Sequence, residues 1–65
     1  MSDIATHYAR VFSGPSGRAV LMHLRKITIE RFLPPDATDA QLRSLESQRA
    51  LVHQIEKLSA QGQTP

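Results

Sequence analysis

Cysteine and tryptophan are absent from this 65-residue chain, and the aromatic residues are one tyrosine and two phenylalanines. Without cysteine there is no disulfide and no cysteine-based zinc site. Without tryptophan, and with no aromatic residues interleaved among Arg18, Arg25 and Lys26, that basic ridge has no platform for base stacking. No apolar run approaches the ~20 residues of a membrane span, so no membrane partner is expected. The opening Met1-Ser2-Asp3-Ile4 is not a basic stretch followed by an apolar block. A signal peptide is therefore not expected, and synthesis in the cytoplasm is.

What is present is modest in size. A chain this short buries only ~60% of the surface its unfolded form exposes. With disulfides and a cysteine-based zinc site excluded, oligomerisation or docking onto a larger surface is the expected source of extra stability. Eight Lys and Arg oppose six Asp and Glu, a net charge of +2. The excess sits in the first half, where Arg10, Arg18, Arg25, Lys26 and Arg31 face only Asp3 and Glu30.

Two proline turns, Ser13-Gly14-Pro15-Ser16-Gly17 and Leu33-Pro34-Pro35-Asp36, divide the chain into three helix-sized segments. The first covers residues 3–12, with Ser2 as N-cap and Asp3 in the first turn. Its apolar stripe is Ile4, Tyr8 and Val11, widened by Phe12. At ~15 Å it is too short to be stable alone and must dock. The second covers 15–31, or ends at 28 if the helix does not continue, with Pro15 at the first helical position and Ser13 capping in front of it. Gly17, Val20, Leu21, Leu24 and Ile27 share its apolar face, with Phe32 in line. A glycine there costs ~1 kcal/mol against alanine, so Gly17 implies another backbone passing close. The β-branched run Ile27-Thr28-Ile29 weakens the helix near its end, and Pro34 terminates it.

The third segment covers 39–59 and opens on a T-x-x-Q capping box, Thr38 with Gln41. Leu45, Val52 and Ile55 line its apolar face, flanked by Leu51 and Leu58, with Gln48 between them. A polar residue in such a seam can fix register or oligomeric state. These patterns predict an all-α fold of one domain over 1–59 and a mobile tail over 60–65. The two longer helices form an antiparallel pair, with the short helix packed across it. The expected shared core is Val20, Leu24, Ile27, Leu45, Val52 and Ile55.

Catalytic groups are missing. His7, His23 and His53 stand too far apart for a helical metal pair. The serines have no nucleophile-elbow context. Gly14-Pro15-Ser16-Gly17 lacks the Gly-Lys-Ser/Thr ending of a phosphate loop. A helix N-terminus beside Arg18 attracts anions, but plain capping accounts for it as well. No enzyme, metal or cofactor is expected. The residues best placed for partner binding are Arg18, Met22, Arg25, Ile29 and Arg49. Met22 and Ile29 lie off the apolar stripe, and the arginines flank it. Arg49 has Glu46 and Glu56 nearby in sequence, and bridges either to a surface acid or to another helix or chain. The connection between the second and third segments, residues 32–38, is too long and proline-rich for a helix-turn-helix, whose turn is ~3–4 residues, so nucleic-acid binding would be weak and electrostatic.

Two stretches carry a resemblance. Phe12-Ser13-Gly14-Pro15-Ser16-Gly17-Arg18-Ala19-Val20-Leu21-Met22-His23-Leu24 resembles the front half of a family of short proteins of tailed bacteriophages and prophages. Glu46-Ser47-Gln48-Arg49-Ala50-Leu51-Val52-His53-Gln54-Ile55 resembles the back half, except that members often carry glycine where this chain has Ser47. The similarity covers roughly residues 8–58. The family tends to be encoded among virion-assembly genes. The resemblance implies a small, multi-copy, virion-located protein that docks on a head, portal or tail component or on itself. It implies no active site. The alternative reading is an effector that binds and inhibits one host protein.

Overall fold

A computed structural model describes residues 3–63. Over those residues the chain is all-α: α1 is Asp3–Ser13, α2 is Pro15–Thr28 and α3 is Asp39–Gln63. The small all-α three-helix fold is therefore borne out. Ser2, the expected cap of α1, and Thr64 and Pro65 of the expected tail lie outside the described residues.

Local chemistry sets the breaks. Gly14 alone separates α1 from α2, and its backbone is extended, with φ −79° and ψ 170°. Pro15 disfavours helical geometry at the residue before it, so the helix stops and restarts. The Arg18 N–H then donates to the Gly14 carbonyl at 2.9 Å, closing the first turn of α2. Gly14, not Ser13, is the N-cap. The Ser13 hydroxyl points back to the Arg10 carbonyl at 3.4 Å. Gly17 behaves as its sequence context demands: a Cβ there would stand 2.7 Å from the Phe12 Cα and inside contact of the Val11 carbonyl. The first turn of α2 rests on the last turn of α1.

The end of α2 falls at Thr28, the shorter of the two expected ends. The Thr28 hydroxyl donates to the Leu24 carbonyl at 2.7 Å. The Glu30 N–H reaches back five residues to the Arg25 carbonyl at 3.0 Å. The ladder loosens there, within the β-branched run, before Pro34 and Pro35. The capping box at the start of α3 is made reciprocally. The Thr38 N–H donates to Gln41 Oε1 at 2.9 Å, and the Gln41 N–H donates to Thr38 Oγ1 at 3.1 Å.

The tertiary packing differs from expectation in emphasis. α2 runs antiparallel to α3, with Arg25 beside Glu56 and Thr28 beside Arg49. The most extensive contact, however, is between α1 and α3. It is built from small side chains. Ala5 and Ala9 are buried on α1, and Ser59 is buried on α3. Gly62 lies so close that a Cβ would meet the Ala5 carbonyl and stand 2.7 Å from the Ala9 Cβ. Short helices persist because they pack, and this seam carries α3 to Gln63, four residues past the expected end.

The core is accordingly small. Its buried apolar residues are Ala5, Ala9, Leu45 and Val52. Thr28 and Ser59 are buried beside them, and both hydroxyls donate to a carbonyl one turn earlier on their own helix. No desolvated polar group is thereby left unpaired. Leu24 and Ile55 of the expected core are half-buried. Val20 and Ile27 are 51% and 44% exposed, and so lie outside it. The reason is that α2 turns its Arg25 and Thr28 side toward α3, which rotates the Val20–Ile27 stripe outward.

The molecule is thin, 45 × 25 × 12 Å, with a radius of gyration of 14.0 Å, where a compact chain of this length has ~11 Å. The long axis is set by α3, whose 25 residues span roughly 37 Å. The accessible surface is 5100 Å², against roughly 4,100 Å² for a compact protein of this mass.

Three substitutions test this packing. Gly62→Ala raises helix propensity by ~1 kcal/mol, yet should lower the melting temperature, because overpacking costs about 1–3 kcal/mol. A rise in melting temperature would show that α1 does not approach α3 this closely. Leu45→Ala should cost about 2–5 kcal/mol, whereas Val20→Ala should stay near the ~0.5 kcal/mol of surface changes. Thermal unfolding followed by circular dichroism reads all three.

Candidate functional site

The residues singled out by sequence fall into two groups. Arg18, Met22 and Arg25 lie along one side of α2 and, with Leu21 and Glu56, line a shallow groove between α2 and α3. Ile29 and Arg49 lie at the other end of α2, where the chain leaves the helix.

Arg49 is used within the fold. From the middle of α3, its Nε donates to the Thr28 carbonyl at 2.9 Å and its Nη2 to the Arg31 carbonyl at 2.6 Å. Its Nη1 pairs with Glu46 at 2.7 Å. The last carbonyls of a helix lack intrahelical donors, and a cation there is favoured by the helix dipole. A planar guanidinium offers separate N–H groups to both carbonyls in a fixed, spread fork, where a lysine ammonium offers only a compact point charge. Arg49 thus bridges to another helix, closing the end of α2 and tying residues 28–31 to α3.

Arg25 is also engaged. Its Nη1 contacts Glu56 Oε2 at 2.9 Å and Oε1 at 3.0 Å, while its Nε stands 3.6 Å from Glu30. Glu56 therefore pairs with α2 and not with Arg49 on its own helix. His53 Nδ1 approaches the same carboxylate at 3.6 Å. The Arg25 side chain is 43% exposed and that of Glu56 is 27% exposed. Such a pair contributes about 0–1 kcal/mol, so its main effect is to fix where α2 meets α3.

Arg18 and Met22 remain open. Met22 is 68% exposed. Arg18 is exposed, and its guanidinium has no hydrogen bond or ion pair among the described residues. A second shallow groove on α2 joins Met22 to Ala19, His23 and Lys26. The first turn of α2, weighed above as an anion site, has Gly17 against Val11 and Phe12 of α1.

The face that sequence reasoning missed is on α1. Ile4, His7, Tyr8, Val11 and Phe12 line an open groove. Ile4 is 53% and Val11 64% exposed. Tyr8 and Phe12 are half-buried and stack with ring centroids 6.3 Å apart. This stripe was expected to face inward. The alanine face is turned in instead, because only Ala5 and Ala9 permit contact with Gly62. The signal was the matched pair of small-residue faces, Ala5 and Ala9 on one helix, Ser59 and Gly62 on the other.

Among the described residues, no group of three or more His, Cys, Asp or Glu side chains could hold a metal ion, and no helix is long and apolar enough to cross a membrane. The fold and its surfaces define a small all-α protein that presents open grooves and exposed apolar side chains. Its sequence matches the family model of Bbp19-like phage proteins over residues 8–63, and the chain belongs to that family. The match runs five residues beyond the resemblance noted above and takes in Gly62. No curated protein and no solved structure gives a significant match.

Replacing Arg49 tests its role at the end of α2. Arg49→Ala should cost about 1.5–3 kcal/mol, the range for hydrogen bonds to a charged group. That lowers the melting temperature by roughly 4–8 °C per kcal/mol in a domain of this size. Arg49→Lys should recover little, and Arg43→Ala, exposed on the same helix, should change little. Equal melting temperatures for wild type and Arg49→Ala would contradict the assignment.

Proposed function

We propose that this chain is a non-enzymatic structural or accessory protein of a tailed phage particle, present in several copies and docked on a head, portal or tail component. The observation that carries the proposal is a Bbp19-like phage chain that keeps Ile4, Val11, Val20, Met22, Ile27, Phe32, Leu42 and Leu51 substantially exposed. A stable globular protein buries most such side chains, and a protein that functions in an assembly covers them with its neighbours. The non-enzymatic reading rests on the scattered histidines and the missing cysteine.

Within that reading, the open strip around Arg18 and Met22 contacts the particle. A flexible methionine adapts to an irregular apolar surface, and Arg18 offers a planar fork for carboxylates or carbonyls. Arg25 and Arg49 contribute less to that contact, since their guanidiniums are already engaged within the fold. Packaged DNA is the less favoured partner, because two of the arginines that would meet phosphate are spent on Glu56 and on backbone carbonyls.

The test is mass spectrometry of purified particles from a phage carrying the gene, followed by the double substitution Arg18→Glu with Met22→Asp. The chain should copurify with wild-type particles, and the double variant should be depleted while its helical content in isolation is unchanged. A chain absent from particles but captured by a single host protein would replace this reading with that of an effector. Binding that falls log-linearly and steeply with salt would point to nucleic acid.

A further inference from the structure

We infer that the outward face of α1 is the seat of a second copy of this chain, paired antiparallel about Tyr8. The inference deepens the multi-copy reading above and rests on it for context only. Four observations carry it. The face is the most aromatic on the molecule: two of the chain's three aromatic residues, Tyr8 and Phe12, stand on it with Ile4 and Val11. Aromatic side chains contribute the most apolar area per residue, and homodimer interfaces are richer in apolar area than other interfaces.

The stripe is also self-complementary. Ile4, Tyr8 and Phe12 are spaced four and four, so apolar side chains stand equally far on either side of Tyr8. A second α1 laid antiparallel sets Ile4 against the second copy's Val11 and Phe12, and Tyr8 against Tyr8. A twofold axis brings each residue near its own copy or near its mirror position. The groove is lined by no carboxylate, lysine or arginine, so this pairing places no acid against acid and no ammonium or guanidinium against its like.

The third observation is area. The chain exposes 5100 Å², roughly 1,000 Å² more than a compact protein of its mass. A standard interface covers about 800 Å² of each partner. One such contact returns the chain to ordinary exposure. The fourth is shape: helices arranged in a body only 12 Å across lack the second layer that domains pack against. A copy seated on α1 supplies it, while the Arg18–Met22 strip on α2 stays available to a different protein.

The experiment is sedimentation velocity on the full chain from low micromolar to several hundred micromolar. A concentration-dependent dimer is expected. Ile4→Lys combined with Val11→Lys should raise the dissociation midpoint by at least about tenfold, with helical content unchanged by circular dichroism. Met22→Lys should leave the midpoint where it was. Because the chain has no cysteine, His7→Cys, beside the expected axis, should form a disulfide-linked dimer on mild oxidation, and Ala19→Cys should not. A chain that is monomeric across the whole range overturns the inference. So does a dimer that tolerates both α1 lysines, or that cross-links through Ala19→Cys and not through His7→Cys. A monomer still found in particles would sink this pairing and leave the particle reading intact. A dimer absent from particles would do the reverse.

Discussion

The close approach of α1 to α3 is the constraint on which the rest of the molecule depends. Gly62 has no room for a Cβ, because Ala5 and Ala9 occupy that space. Only small side chains permit two helices to come this near, so α1 has one face that can be turned inward. Ile4 and Val11 are then turned outward as a matter of helical geometry, since they lie on the far side of the same cylinder, while Tyr8 and Phe12 stand half-buried at the edge of the inward face. The seam also explains why α3 continues to Gln63 and why Ser59 is buried. It leaves four buried apolar residues among the described ones, two of them alanines.

A core of that size cannot specify α2 by burial, and polar contacts fill the gap. Arg25 meets Glu56, Arg49 collects the Thr28 and Arg31 carbonyls, and the capping box fixes where α3 begins. The division of labour is plain: apolar contact sets α1, and hydrogen bonds and charge set α2. The large apolar side chains that most domains spend on their interior are here on the surface. In a phage protein family, that distribution fits a chain whose stability is completed by assembly.

What could be read from the sequence was what depends on near neighbours. Pro15 after Gly14 stops one helix and starts another. Thr38 with Gln41 makes a reciprocal cap. Gly17 signals a backbone at its face. Each involves residues a few positions apart. The orientation of α1 could not be read the same way. Its large stripe has the stronger periodicity, and periodicity says which residues share a face without saying which face meets the rest of the chain. The decisive residue, Gly62, lies more than fifty positions from Ala5. Arg49 was singled out for the right chemistry, but its acceptors are carbonyls of another helix, and backbone acceptors leave no trace in residue type. The expected core of α2 moved for a related reason: Arg25 and Thr28, polar by composition, proved the better fit to α3 than Val20 and Ile27.

The account stands or falls on the half-buried Tyr8 ring keeping its groove side open to solvent in the single chain. The sequence offers a direct probe, because Tyr8 is its one tyrosine and there is no tryptophan. Acrylamide quenching of the tyrosine fluorescence, measured across protein concentration, reports on that one ring. The account predicts a partly quenched ring in dilute protein, where the chain is single, and progressive further shielding as copies associate. A ring that is shielded to the same degree at every concentration, down to where sedimentation shows only monomer, would place Tyr8 in the core and contradict the inward alanine face from which everything else follows.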